Sequence, residues 1–245
     1  MTTRNDEKQQ TLSQQILTAV EAKKLLNHPF YQAWEAGELD RDILKVYAKQ
    51  YYHHVKAFPR YISSTHSICE DLKARQVLSE NLHDEEYGEN NHPKLWLDFA
   101  EGLGASQGES EAEGKALFPE TQNLIDTFFE LARSSYIEGL AALYVYEQQV
   151  PDICETKIEG LNKFYGVNDS KTIEYFRLHH EVDVLHSEAT RVLVDQLSDE
   201  DREKALNAAK RASEALWGFL NGMDRFRGVE PGSHCCSGES CTVLQ

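Results

Sequence analysis

Long hydrophobic runs are missing from this chain of 245 residues. No stretch approaches the ~20 apolar residues that a membrane-spanning helix needs, and residues 1–15 lack the apolar segment of a signal peptide. Strand-like runs rich in Val, Ile and Thr are also absent, as is any repeat of fixed period. The sequence therefore predicts a protein without membrane spans or sheets.

Basic residues are scarce and scattered. The chain has 25 Lys and Arg against 41 Asp and Glu, a net charge of -16, and no basic block. This balance disfavours a nucleic-acid surface and docking to an anionic membrane. Of five cysteines, Cys69 and Cys154 are isolated and three crowd the C-terminal end. An odd count without a secretory signal predicts a cytoplasmic location.

Apolar residues recur at helical spacing along most of the chain, and 40% of its residues are hydrophobic. This pattern predicts one large all-α domain over residues 12–228, after a mobile N-terminus (1–11) and before a flexible, Cys-containing tail (229–245). Pro59 is expected to end or kink a helix, and 105–115 to form a loop. Helices are predicted from Thr11, Pro29 and Asp40, over 74–91, from Pro93 to about 102, over 119–150, 152–165 and 170–197, and from Asp199.

The segment 176–186 contains three metal-type ligands at helical spacing. At ~100° per residue, His179, Asp183 and His186 fall within about 60° of arc, on a stripe that begins with the apolar Phe176. Glu181 is expected to point away, into water. Buried imidazoles and carboxylates need partners, so the spacing indicates a metal site. A set of core polar residues satisfied by one another is the alternative.

Further ligands can be selected by helix face. Glu85 and His92 extend an apolar face of the preceding segment, with Glu89 as a spare candidate. Because a residue before proline is biased away from helical geometry, His92 is expected at a helix break. Glu80 and His83 have the Glu-x-x-His spacing of di-iron bundles but lie on the opposite, solvent-facing side.

Glu147 closes the most apolar predicted helix, where an acid is rarely unpaired. An ion pair at the helix end explains this position as well as a metal ligand does. A mixed oxygen and nitrogen set suits two first-row metals such as Fe or Mn better than one structural zinc, which takes four ligands. The complete candidate set is Glu85, His92, Glu147, His179, Asp183 and His186.

Five segments in order along positions 28–186 resemble the family of the Chlamydia protein associating with death domains, which belongs to the haem-oxygenase-like dimetal oxidases. They are His28-Pro-Phe-Tyr31, Asp84-Glu-Glu-Tyr-Gly88 with His92-Pro93, Tyr144-Val-Tyr-Glu147 through Pro151, Glu155-Thr-Lys157 through Leu161, and His179-x3-Asp183-x2-His186. The resemblance implies a TenA- and PqqC-like bundle of about seven helices, and all six ligand positions match it. The tail, residues 232–245, has no counterpart in the family pattern.

The resemblance also implies a reaction, the self-sacrificing synthesis of para-aminobenzoate for folate. Two metal ions (Fe/Fe or Mn/Fe), O2 and an unidentified reductant would drive cleavage of the Cα–Cβ bond of a tyrosine in the same chain. By position that tyrosine is Tyr31, with Tyr47 and Tyr146 as further redox-active or substitute tyrosines. Lys157 would donate the nitrogen.

Other interpretations remain open on the sequence. A conventional dimetal oxygenase with a small external substrate would use the same six ligands. A protein that engages death domains would need none of them, and neither would a thiaminase-type enzyme. His234, Cys235, Cys236 and Cys241 could chelate a soft metal, although reactive thiols in a disordered tail fit their tight spacing better. A homodimer is expected from base rates alone.

Overall fold

The computed structural model describes residues 10–112 and 117–230, and of Glu181 and Val182 the backbone alone. Within these ranges the chain forms eleven α-helices and no strand, so the predicted all-α class is confirmed. None of the described helices has the length and apolar character needed to cross a membrane. The helices are α1 Leu12–Val20, α2 Pro29–Ala36, α3 Arg41–Ser67, α4 Leu72–Glu86, α5 His92–Gly102, α6 Gln107–Glu111, α7 Pro119–Ser134, α8 Tyr136–Glu147, α9 Val150–Lys163, α10 Ser170–Asp195 and α11 Arg202–Phe226.

Short polar side chains begin several of these helices. Thr11, Asp71, Asn91 and Asp169 each accept a hydrogen bond from a backbone N–H in the first turn, which satisfies a donor that the helix itself leaves unpaired. Pro29 stands at the first position of α2, where its missing N–H costs nothing. Local chemistry therefore sets most helix starts.

The predicted single helix over 119–150 is wrong, because the chain breaks at Ser135. This residue is extended, with φ -161° and ψ 160°, and its side chain accepts the N–H of Glu138 at the start of α8. A serine that offers its hydroxyl to the backbone competes with the continuing helix. Two helices, α7 and α8, therefore replace one.

Pro59 neither ends α3 nor separates it into two helices, since the helix runs unbroken over 27 residues. Packing of the long helix against α4, α5, α7 and α8 offsets the one backbone hydrogen bond that proline cannot make. The predicted loop 105–115 is also partly helical, because Ser106 and Glu109 form a capping box that begins α6. Residues 1–9, 113–116 and 231–245, including His234, Cys235, Cys236 and Cys241, lie outside the described residues.

The long helices α3 and α10 pack with α4, α5 and α8 around one interior, while α11 packs against α1, α7 and α8 on another side. Close approach of α8 to α3 depends on Gly139, where a Cβ would lie 2.3 Å from Thr65 Oγ1. Each fully buried large apolar side chain contributes about 1.5–3 kcal/mol. That interior combines aromatic side chains with the polar residues described next.

Candidate metal centre and its tyrosine–lysine network

Three predicted ligands from three helices converge on one point. Glu85 from the end of α4, His92 from the start of α5 and His179 from α10 offer ligand atoms that all lie within 4.8 Å of one another. All three side chains are buried. Their spacing matches residues that share one metal ion.

His92 lies at a helix start, as its position before proline predicts. Asn91 caps α5 by accepting the N–H of Lys94, and the His92 ring faces Glu85, with Nδ1 2.7 Å from Oε2. That approach lacks the direction of a hydrogen bond, so the buried Nδ1 has no hydrogen-bond partner among the described residues. Two ligand atoms that face each other without bonding are suited to a cation between them.

Tyr175 fixes the ring orientation and the tautomer of His179 in a form that can bind metal. Its Nδ1 lies 2.7 Å from the carbonyl oxygen of Tyr175, and its ring stacks on the Tyr175 ring at 3.9 Å. With Nδ1–H as the donor, Nε2 keeps its lone pair. Burial and the neighbouring His92 lower the pKa of His179 well below its usual range, so the imidazole is neutral, as metal binding requires.

Glu147 and Asp183 add two crowded carboxylates to the interior. Glu147 accepts hydrogen bonds from Asn81 Nδ2 at 2.5 Å and from Thr190 Oγ1 at 3.1 Å. Burial, together with Asp183, raises the pKa of Glu147 to about 8, and burial raises that of Asp183 to about 6. A cation would relieve this penalty by stabilising the ionised forms.

The third residue of this group is His186, which lies beside both carboxylates. Its Nδ1 is buried, 3.5 Å from Asp183 Oδ1, and has no directed hydrogen bond within the described part of the chain. Although burial opposes a positive charge, Asp183, Glu147 and Asp84 together raise the pKa of His186 to about 9. The six predicted ligands thus line one interior, in which Glu85, His92 and His179 are the described residues whose ligand atoms all lie within 4.8 Å of one another. Their oxygen and nitrogen donors are of the kinds that first-row metals bind.

Predictions about neighbouring candidates can be checked against burial. Glu80 and His83 are exposed, as expected for a solvent-facing pair, and the spare candidate Glu89 is exposed too. Glu147 is 2% exposed and is held by an amide and a hydroxyl, which disfavours the helix-end ion pair. The direction of the Glu181 side chain lies outside the described residues.

Beside this cluster lies a buried network of tyrosines around one lysine. Lys157 on α9 is 3% exposed, and its Nζ donates to the Tyr47 hydroxyl at 2.7 Å. The Tyr47 hydroxyl lies 3.2 Å from that of Tyr31, so one hydroxyl bridges the amine and the Tyr31 oxygen.

Burial changes the charge of this lysine. The pKa of Lys157 falls to about 7 because burial disfavours its ammonium form, so a substantial fraction is neutral at physiological pH. Aromatic rings surround the amine, with ring centroids 5.0–5.7 Å from Nζ. They belong to Tyr31, Tyr47, Tyr51, Trp96 and Phe176.

A glycine lets the two helices of this network meet. Gly160 on α9 faces Trp34 on α2, where a Cβ would lie 2.6 Å from the indole nitrogen. Lys157 precedes this glycine by one turn, and Tyr31 precedes the tryptophan by one turn. The close contact of α2 with α9 therefore brings the lysine toward Tyr31.

One aromatic layer separates the network from the metal-type ligands. The Trp96 ring lies 5.1 Å from that of Tyr51 and 4.8 Å from that of Tyr175, which in turn stacks on His179. Tyr146 joins from α8, since its hydroxyl accepts from Tyr51 at 3.2 Å. The predicted Tyr31, Tyr47 and Tyr146 are therefore all buried close to the site.

Sequence reasoning missed the residues that orient the ligands. Asn81 lies four positions before Glu85, and Thr190 four after His186, so helical spacing from a ligand was the signal available for both. The contact of Asp84 with His186 joins positions 102 residues apart, so helical spacing could not reveal it. Tyr51, whose hydroxyl donates to Tyr146, follows Tyr47 by one turn and could have been found in the same way.

These features agree with comparisons to known proteins. The model of a family described as iron-containing redox enzymes matches residues 45–217. The chain belongs to this family of iron-containing redox enzymes. Membership agrees with the predicted oxidoreductase and with the use of metal.

Individual relatives identify a branch of the family. The chain is 42% identical to a 4-aminobenzoate synthase of Nitrosomonas europaea, covering 87% of this chain and 91% of the relative. It is 40% identical to a 4-aminobenzoate synthase of Chlamydia muridarum, covering 91% of both chains. The resemblance to the Chlamydia family is thereby confirmed.

A solved structure supports the predicted fold. The chain superposes on a TenA homologue of Pseudomonas syringae with a TM-score of 0.76 and 16% identity, over 87% of this chain and 93% of the other. At this identity the match concerns the fold alone, and it confirms the predicted TenA-like helical bundle.

Proposed function

We propose that this enzyme makes 4-aminobenzoate from the ring of its own Tyr31, with the Lys157 amine as nitrogen donor. Relatives at about 40% identity are named 4-aminobenzoate synthase, and both residues stand in segments that match the family. The observation that supports the assignment most directly is the buried chain of contacts from Lys157 Nζ through the Tyr47 hydroxyl to the Tyr31 hydroxyl.

The proposed metal centre holds two first-row ions, Fe/Fe or Mn/Fe. Its ligands would be Glu85, His92, Glu147, His179, Asp183 and His186. Their buried carboxylates favour a nearby cation, and Nδ1 of His92 and of His186 has no directed hydrogen bond in the described part of the chain. When bound and reduced by an external donor, such ions supply the activation of O2. The protein contributes the neutral imidazoles and fixed carboxylates that hold them.

In the reaction the Cα–Cβ bond of Tyr31 breaks, with O2 as the oxidant. The Cβ atom becomes the carboxyl carbon of the product. The Lys157 amine condenses with the oxidised ring at the para carbon, whose oxygen leaves as water. The resulting imine then shifts to Cε of the lysine, and its hydrolysis breaks the Cε–Nζ bond, which leaves the nitrogen on the ring and an aldehyde at Cε. An amine must be neutral to attack an oxidised ring, and burial gives Lys157 that form near pH 7. The Tyr47 hydroxyl can pass a proton between the amine and the Tyr31 oxygen.

Packing around the network protects this chemistry. Tyr31, Tyr47 and Lys157 are each at most 3% exposed, so bulk water is excluded from a reactive ring. The Tyr47 ring stacks between those of Phe30 and Tyr51, at 5.3 Å and 5.6 Å. We therefore assign Tyr47 a positioning and proton-transfer role, and Tyr146 a role as a further oxidisable tyrosine beside Glu147.

A pair of matched substitutions tests the assignment. Tyr31→Phe keeps the ring volume and loses the hydroxyl, so product should fall below a tenth of the wild-type yield while metal content stays normal. Tyr61→Phe is the control, because Tyr61 is a buried tyrosine whose hydroxyl has no hydrogen-bond partner within the described residues. Product and metal content are measured on the same purified samples exposed to O2.

The lysine is tested in parallel. Lys157→Arg replaces the amine with a guanidinium that stays protonated and cannot donate nitrogen, so it should abolish product. Lys163→Arg, on the exposed face of the same helix, should not. Full yield from either Tyr31→Phe or Lys157→Arg would contradict the proposal. If an added small molecule is instead converted over many turnovers, the proposal of self-sacrifice is replaced by that of a conventional oxygenase with an external substrate.

A further inference from the structure

Asp84 lies next to the proposed metal centre but outside the set of six ligands. It directly precedes Glu85 on α4, and its side chain is 48% exposed. Its Oδ2 lies 3.0 Å from Nε2 of His186 on α10. A half-exposed carboxylate thus contacts a ring that also reaches the buried ligands.

The two nitrogens of His186 face different surroundings. Nε2 faces Asp84, whereas Nδ1 is buried beside Asp183 with no directed hydrogen bond within the described ranges. A histidine binds metal as the neutral imidazole, which carries a proton on one nitrogen and a lone pair on the other. With Nε2–H donated to Asp84, the lone pair on Nδ1 points into the ligand cluster.

His179 shows the opposite arrangement in the same site. Its Nδ1 contacts the Tyr175 carbonyl, which leaves Nε2 for the metal. Metal-bound histidines generally donate their other ring N–H to a carboxylate or a carbonyl, which fixes the tautomer and the ring orientation. Among the described residues, the Tyr175 carbonyl is placed to act as this acceptor for His179, and Asp84 for His186.

We propose that Asp84 is a positioning residue for the metal centre, which accepts Nε2–H of His186 and so makes Nδ1 the ligand atom. The inference rests on the proposed function, since it needs His186 to bind metal. It deepens that function by assigning a different ligand nitrogen to each of the two proposed ligand histidines on α10, His179 and His186.

Two surface cavities beside Asp84 show that this part of the site is open to solvent. One, of about 280 Å³, is lined by Asn81, Asp84 and His186 among others. The other, of about 230 Å³, is lined by Asp84 and His92 among others. In so open a location the ring of His186 needs a fixed acceptor to keep its orientation, and substitution of Asp84 should leave the fold intact.

The direct test is nuclear magnetic resonance of the full chain with ¹⁵N-labelled histidine, titrated with Zn²⁺ as a diamagnetic probe. Two-bond ¹H–¹⁵N correlations distinguish a metal-bound Nδ1 from a metal-bound Nε2, and His186→Gln assigns the signals. We expect His186 bound through Nδ1 with Nε2 protonated. Binding through Nε2 would overturn the role of Asp84 alone, whereas His186 nitrogens that do not respond to Zn²⁺ would overturn its assignment as a ligand.

Affinity measurements test the same role with substitutions. Asp84→Leu removes the acceptor and should weaken Co²⁺ binding about 10- to 100-fold in a chelator competition, with a changed visible absorption spectrum of the bound ion. Asp84→Asn keeps an acceptor oxygen and should lose less. Glu86→Leu is the control for charge, since Glu86 is an exposed acid on the same helix. Equal losses in Asp84→Leu and Glu86→Leu, or unchanged affinity in the former, would refute the proposal.

Discussion

The two halves of the site differ in how they treat charge. The metal-ligand half gathers three carboxylates and three imidazoles from α4, α5, α8 and α10, and it reaches the surface beside the half-exposed Asp84. The tyrosine–lysine half, from α2, α3, α8 and α9, is sealed by aromatic rings around a single amine. Under the proposed function, the first half takes up cations from solvent, whereas the second excludes water and keeps its lysine largely neutral.

Burial has different chemical consequences in the two halves. Buried carboxylates are costly until a cation neutralises them, so burial there favours metal binding. A buried lysine loses its proton instead, which makes it a nucleophile near neutral pH. The Trp96 and Tyr175 rings between the halves keep the amine away from the carboxylates, which would otherwise hold it as an ammonium ion.

The largest expected effect comes from removing a metal ligand. Asp183→Ala deletes a buried carboxylate between Glu147 and His186 and should lower metal content by at least one ion per chain and abolish product. Glu174→Ala, at an exposed position of the same helix, should change neither. Elemental analysis gives the metal content, and normal stoichiometry with full activity in Asp183→Ala would show that the polar half is not a metal centre.

A smaller effect is expected on stability in the tyrosine–lysine half. Lys157→Met removes a buried amine whose ammonium form is destabilised by burial, so it should raise the free energy of unfolding of the metal-free protein by roughly 1–3 kcal/mol at pH 6.5, although it abolishes product. Urea unfolding followed by circular dichroism measures the change. Lys163→Met serves as the exposed control.

The increase in the free energy of unfolding caused by Lys157→Met should depend on pH in a definite direction. The pKa of Lys157 in the folded protein, about 7, lies below the ordinary lysine value of 10.5, so between these values the unfolded chain binds a proton that the folded chain lacks. The stability contributed by Lys157 therefore increases with pH across that window. The advantage of Lys157→Met should shrink from pH 6.5 to pH 9. A constant or growing advantage would mean that the lysine stays charged in the fold.

Much of this architecture could be predicted because helices depend on local signals. Helix starts such as those at Thr11 and Pro29, and the spacing of His179, Asp183 and His186, are visible within a few residues of sequence. The break at Ser135 was missed, since a serine inside an apolar run signals a cap only when the chain on both sides packs in different directions. The prediction that a helix could end at Pro59 failed because packing along α3 outweighs the loss of one hydrogen bond.

The contacts between distant helices could not be predicted in this way. The bond of Lys157 to Tyr47 joins positions 110 residues apart, and periodicity shows only that each residue faces inward. The pairing of Asp84 with His186 is equally long-range. The family resemblance pointed to the individual tyrosines and the lysine, whereas the acceptors that orient the ligands became visible only in three dimensions.

The central claim, that the protein supplies the ring and the nitrogen itself, is tested most directly by isotope labelling. Protein expressed with ring-¹³C tyrosine and ¹⁵N-lysine, then purified, loaded with metal and exposed to O2 and a reductant, should release 4-aminobenzoate that carries both labels. The yield should reach at most about one product per chain, and the protein should lose mass at Tyr31. Unlabelled 4-aminobenzoate formed over many turnovers would contradict the account, because it would require an external substrate.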